Sequence, residues 1–225
     1  MKPRLSHLQK GAGGFTLLEL LAVIAIIGVF ASLLGPVISG ITMGSNVTRG
    51  GDMIADAFKT GHMFALSHNR DVEIRFYRYK NSKDADPAYR AFQLFEIVPS
   101  YTEYGTFNRK YVPLIRLQKL PPGTFLLEDE GNTVYSTLLK ESTNVRLKPD
   151  LGEAPMERIP ALGTDQYTYL RFAFRPDGGT DLNNKSSEDY YVTVGVDSPV
   201  KKKEVNNFYT IQVNPVDSKV VTLRP

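Results

Sequence analysis

The chain has 225 residues, of which 42% are hydrophobic and 23% charged, an ordinary globular composition that excludes wholesale disorder. It has no cysteine, which excludes disulfides, thiolate metal sites and a cysteine nucleophile, and only three histidines, His7, His62 and His68. The net charge of +3 resides in Lys2, Arg4 and Lys10 of residues 1–14; the remainder balances at 24 cations and 24 acids, so no nucleic-acid partner is expected.

From Leu20 to Leu34 the only polar residue is Ser32. Extended back to Phe15 the run reaches twenty residues, adding Thr16 and Glu19. As a helix it spans about 30 Å, one bilayer core. No polar face interrupts it between Leu20 and Ala31, unlike a helix of a soluble core. The basic residues ahead of it set the orientation as N-in. An ordinary secretory signal would end in a small-residue cleavage site after the apolar stretch. Ala31-Ser32 and Ser39-Gly40 are weak versions of such a site.

A stronger processing signal precedes the run, in Gly13-Gly14-Phe15-Thr16-Leu17-Leu18-Glu19. This pattern resembles the class III signal of type IV pilins and type II secretion pseudopilins. The resemblance covers residues 11–36 and includes Gly28 and Pro36, the fourteenth and twenty-second residues counted from Phe15. It implies that a prepilin peptidase cleaves between Gly14 and Phe15 and methylates the new amino terminus of Phe15. It also implies that Glu19 neutralises the Phe15 amine of a neighbouring subunit and sets the stagger of assembly. The physical chemistry agrees, because a carboxylate inside an apolar helix is costly and is normally kept for a purpose. Gly28 and Pro36 are costly in a helix interior, so the segment between them is the easiest place to kink or melt.

Beyond the run, Val47, Ile54, Phe58, Gly61 and Ala65 form a helical stripe that Leu66 widens, with Arg49, Asp52, Asp56, Lys59 and His62 on the other side. Gly50-Gly51 reads as a weak point or kink, and the helix is expected to end near Asn69. His62 and His68 near that end suit the helix dipole.

From Asp71 the period becomes two. Val72, Ile74 and Phe76 face one way and Glu73, Arg75 and Tyr77 the other, a half-buried strand. Ala91–Val98 reads as its hairpin partner and Tyr101–Lys110 as a loop. Val112–Leu120 and Thr124–Asp129 read as strands around the turn Pro121-Pro122-Gly123, and Val134–Leu139 fits either helix or strand. After a loop-rich stretch come strands at Tyr167–Phe174, Tyr190–Val196 and Phe208–Val213, the last two joined across Lys201-Lys202-Lys203, and a short edge at Val220-Val221. A long helix followed by antiparallel strands predicts an α+β fold.

The head sharpens the resemblance. LPPGTFL and RFAFRPDGGTD are similar to the pseudopilin H pattern, and NNFYTIQVNPVDSKV to its closing hairpin, with Asp217-Ser218 where a Thr-Gly is usual. NRDVEIRFYRY and FQLFEI also resemble a narrower group, the Verru_Chthon cassette pilin-like protein D. The resemblance implies residues 1–14 as leader, 15–38 as transmembrane and assembly helix, 39–69 as its amphipathic second half and 70–225 as a β-rich head.

Other constellations are weaker. Asp177, Asp181 and Asp189 flank glycines but lack EF-hand spacing, so they read as a turn, with no metal or cofactor expected. Lys201-Lys202-Lys203 reads as a solvated hairpin tip. There is no P-loop, so any assembly ATPase is another protein. The expected function is a non-enzymatic structural subunit, a minor pseudopilin or pilin-like protein of a type II secretion or type IV pilus-like filament. Its expected partners are other pilin-like subunits, prepilin peptidase and the inner-membrane assembly platform. The head is expected in the bacterial periplasm. The competing expectation is a secreted or membrane-anchored enzyme or binding module with an ordinary signal.

Overall fold

The computed structural model describes residues 16–82, 86–101, 107–128, 135–139, 159–163, 167–182, 190–196 and 207–224. The chain forms two compact units, 1–42 and 43–225. Helix α1 is assigned over Leu17–His68. In the first unit its described apolar side chains, from Leu17 to Phe30, are exposed.

In the second unit, α1 ends where Asn69 turns left-handed (φ 53°), a conformation asparagine tolerates just past a helix. The strands are β1 (Val72–Tyr79), β2 (Ala88–Tyr101), β3 (Phe107–Pro113), β4 (Gln118–Lys119), β5 (Thr124–Leu126), β6 (Tyr167–Phe174), β7 (Tyr190–Val196), β8 (Phe208–Val213) and β9 (Val220–Leu223). They form one sheet in the order β6-β1-β2-β5-β7-β8-β9, with β3 and β4 also on β2. All the pairings are antiparallel. The expected α+β architecture is thus observed.

The helix stripe meets the sheet as its spacing predicts. Val47, Ile54, Phe58 and Ala65 are buried against Ile74, Leu94, Phe172 and Val194, among others. The Phe58 ring is met edge-on by Phe76, Phe172 and Phe174 at centroid distances of 6.2, 5.4 and 6.0 Å. Full burial of such a ring contributes about 2–3 kcal/mol. Leu66 does not widen the stripe: it is 49% exposed, one residue past the buried Ala65 and so about 100° around the helix. The pair Gly50-Gly51 lies within the continuous helix α1. It admits the sheet: a Cβ on Gly51 would fall 2.3 Å from the Tyr209 ring, and one on Gly50 would fall 3.1 Å from Val194.

Several strand expectations need correction. Tyr101–Lys110 is not all loop, because β2 runs on to Tyr101 and β3 begins at Phe107; Val98 pairs with Lys110 and Pro99 with Arg109. Backbone pairing to a long neighbour outweighs the polar composition there. Val112–Leu120 is not one strand. It holds the end of β3 and, after a break, the two-residue β4. Thr124–Asp129 keeps only Thr124–Leu126, and Val134–Leu139 yields a 3-10 turn at Thr137–Leu139. That turn's Thr137 and the preceding Ser136 accept backbone N–H bonds from Tyr191 and Thr193 of β7.

The polar face of β1 is also buried. Tyr77, Tyr79, Ala91, Leu162 and Tyr167 form a second, smaller cluster under the 3-10 turn Pro160–Leu162. Glu73 lies fully buried between two guanidinium groups. The sheet is therefore covered on both sides along β1, where strict alternation predicts one wet face. The loop at Lys201-Lys202-Lys203 lies outside the described residues.

Candidate functional site

Of the residues singled out by the sequence, Glu19 stands at the start of α1. Gly14 and Phe15 lie outside the described residues. Thr16 is the first described residue, and it caps the helix. Its Oγ1 accepts the Glu19 backbone N–H at 3.2 Å, while Glu19 Oε2 accepts the Thr16 backbone N–H at 2.8 Å and the Thr16 hydroxyl at 3.0 Å. This reciprocal pair is a capping box, which satisfies donors that a helix start otherwise leaves unbonded. The Thr-x-x-Glu spacing makes it possible, because the two side chains stand one turn apart. Glu19 is thus held at the helix start, facing back towards its amino-terminal end.

From Leu17 to Phe30 the apolar side chains are exposed, from 51% at Val23 to 82% at Leu17. Consecutive residues lie about 100° apart, so Leu17, Leu18, Leu20, Val23 and Ile26 together cover the circumference. Glu19 is the one charged side chain in this stretch. The Ser32 hydroxyl is turned inward and donates to the Val29 carbonyl at 2.7 Å. A Cβ at Gly28 would meet nothing within 4 Å, so within this chain the glycine answers no crowding. The helix continues through Gly28 and Pro36. Proline withholds the N–H that the Ser32 carbonyl would otherwise accept. Among the described residues no helix is long and apolar enough to cross a membrane; the described side chains of this stretch stop at Ser32, while the apolar sequence runs on to Leu34.

Several charged groupings lie in the head. Glu73 accepts from Arg75 Nε at 2.5 Å and from Arg171 Nη1 at 2.6 Å. The Arg75 guanidinium sits over the rings of Phe95, Tyr111 and Tyr169 at 4.4, 4.5 and 4.9 Å. Burial pulls the Arg75 guanidinium down, but the Glu73 carboxylate more than offsets this and holds it above its ordinary value. Burial likewise pushes up the neighbouring Tyr77 phenol. Sequence reasoning missed this cluster by placing Glu73 on an outer face. The surrounding aromatics were the available signal, but they come from three other strands.

A second grouping joins α1 to the end of the chain. The Tyr209 hydroxyl donates to Asp52 at 2.9 Å, and the Arg224 guanidinium lies 5.1 Å from the Tyr209 ring centre and donates to Thr48. His68 at the helix end stands 3.5 Å from Glu96, which Arg70 also approaches at 3.5 Å. In the Asp177–Asp181 turn the carboxylates serve the backbone: Asp177 accepts from Gly179 N–H and Asp181 from Ala173 N–H. Asp189 lies outside the described residues.

The capping carboxylate thus stands at the head of an all-round apolar helix, four residues past Phe15 in the sequence. Residues 9–35 match the model of the prokaryotic N-terminal methylation motif. Among solved structures the chain is similar to the minor pseudopilin EpsH from the type 2 secretion system of Vibrio cholerae, at 9% identity and a TM-score of 0.38, over 80% of this chain and 98% of that one. No curated protein sequence matches the chain. The motif match covers the N-terminal segment alone and does not bear on the narrower group that β1 and β2 resemble.

Proposed function

We propose that the chain is a structural subunit of a type II secretion or type IV pilus-like filament, a minor pseudopilin or pilin-like protein, with no catalytic role. Residues 1–14 are a leader that prepilin peptidase removes between Gly14 and Phe15, and Phe15 becomes the methylated amino terminus. Residues 15–38 insert in the inner membrane, N-in, and later form the assembly helix. Residues 39–69 form its amphipathic second half, and 70–225 the periplasmic head. Gly28 and Pro36 loosen the helix on assembly. The partners are other pilin-like subunits and the inner-membrane assembly platform.

One observation carries this reading: the methylation motif leads into a helix that opens with the Thr16–Glu19 capping box and exposes apolar side chains around its circumference. Intact-mass analysis of membrane-extracted protein tests it. The expected mass begins at Phe15 and carries one added methyl group. A mature chain beginning after Ser32 or Gly40 excludes the reading in favour of an ordinary signal sequence.

A further inference from the structure

The free edges of the sheet are not alike. At β6 the chain folds back on itself: Phe174 bridges Thr180, and Asp181 both donates its N–H to the Ala173 carbonyl at 2.9 Å and accepts the Ala173 N–H at 2.7 Å. The free side of β3 carries the exposed cations Arg109 and Lys110 and ends in Pro113. These are devices that keep an edge from pairing. Strand β9, Val-Val-Thr-Leu, has none of them within its four residues. Among the described residues it pairs with β8 alone, and Val221 and Leu223 are 40% and 51% exposed. It is also held firm. The next residue, Arg224, is tied to Tyr209 and to Thr48 of α1, so little order must be gained when a strand is added.

The charges that flank β9 select the occupant. Exposed Lys219 precedes the strand and exposed Arg224 follows it. If β9 paired in register and antiparallel with β9 of a second copy, Lys219 would face Arg224 at both ends. Like charges directly opposite are destabilising. We propose that β9 accepts one further antiparallel strand from a different protein, β-branched at its centre with a carboxylate at each end. The backbone groups of β9 supply the ladder, and Lys219 and Arg224 set register and choice of partner. This inference does not depend on the filament reading.

The test uses the full chain in detergent micelles and two labelled probes, acetyl-EVTVTE-amide and acetyl-KVTVTK-amide. At low salt the acidic peptide is expected to bind about tenfold more tightly by fluorescence anisotropy, a preference that shrinks as salt is raised. Backbone amide exchange of Val220–Leu223 should slow in its presence. Lys219→Glu, at an exposed position, should reduce the preference, and Val221→Lys should abolish binding of both peptides. Equal affinities, absence of binding, or protection that maps elsewhere would overturn the proposal. So would protection of β9 that rises with protein concentration and without peptide, because a second copy would then be the occupant.

Discussion

The ring of Tyr209 rests on the bare backbone of Gly51, so close that a Cβ on residue 51 would fall 2.3 Å from two ring carbons. The same ring donates its hydroxyl to Asp52 one residue on. One glycine and one carboxylate of α1 thus seat one tyrosine of β8. Gly51→Ala would gain about 1 kcal/mol of helix propensity. It would also force the ring and strand away, and such overpacking costs about 1–3 kcal/mol, with the Asp52 bond at risk as well. Net destabilisation is expected in denaturant unfolding of the full chain. Gly61→Ala should behave alike, since its Cβ would fall 2.7 Å from Phe174. A gain in stability from either change would show that the sheet yields without cost.

Glu73 holds Arg75 and Arg171 from a fully buried position. Removing one member of such a cluster leaves charge uncompensated in a low dielectric, which costs about 3–5 kcal/mol. Glu73→Ala should therefore be among the most damaging single changes in the head. Glu73→Gln should damage less, since it retains an acceptor. Arg171→Met in the Glu73→Gln background should cost less than in the parent, because the pair is already weakened. Additive losses in that cycle, measured by chemical unfolding, would show that the two side chains are not coupled.

Tyr77 gives the head a dependence on alkaline pH. Its phenol is raised above the ordinary value chiefly by burial, and Tyr79 is raised for the same reason. A raised folded pKa favours the proton-bound native state. The stabilisation is whole below about pH 10, where the unfolded phenol ionises, and is lost as pH climbs towards the folded value. For Tyr77 the slope approaches about 1.4 kcal/mol per pH unit in that window. Tyr77→Phe should flatten the decline between about pH 10 and 12 while changing neutral-pH stability far less. An unchanged slope in the variant would assign the alkaline loss to other groups.

The helix stripe is legible in the sequence because it is local: Val47, Ile54, Phe58 and Ala65 keep helical spacing through one element. The Thr16–Glu19 cap is local too, with the two residues three apart, but from the sequence Glu19 reads as a contact between subunits and its cap is passed over. What is not legible depends on partners far along the chain. Glu73 reads as a solvent-facing residue of a half-buried strand until Arg171, 98 residues away, is placed beside it. Gly51 reads as a weak point of the helix until Tyr209 supplies the ring that fills its missing side chain. Residues 107–110 read as loop because their composition is polar, yet β2 is long enough to pair with them. In each case side-chain type sets a local preference, and a non-local contact decides the outcome.

The last prediction concerns Glu19, whose two roles can be separated. In the single chain its carboxylate completes the capping box with Thr16. On the proposed reading it also meets the Phe15 amine of a neighbouring subunit within the filament. Glu19→Ala removes both functions. It makes the segment more apolar, so membrane insertion should persist, and cleavage should persist because the peptidase reads Gly14 and the leader. Filament incorporation should fail, since an amine buried without its counter-charge costs several kcal/mol. Glu19→Gln keeps an acceptor for the Thr16 donors and so keeps most of the cap, but it loses the charge. It should insert and be cleaved like the parent and assemble at an intermediate level. Thr16→Ala makes the converse change: it weakens the cap by about 1 kcal/mol and leaves the charge, so it should assemble nearly as well as the parent. Shear release or crosslinking of filaments in cells, with membrane fractions as the control, distinguishes the three variants. Normal incorporation of Glu19→Ala would show that this carboxylate only caps the helix, and that the contact between subunits lies elsewhere.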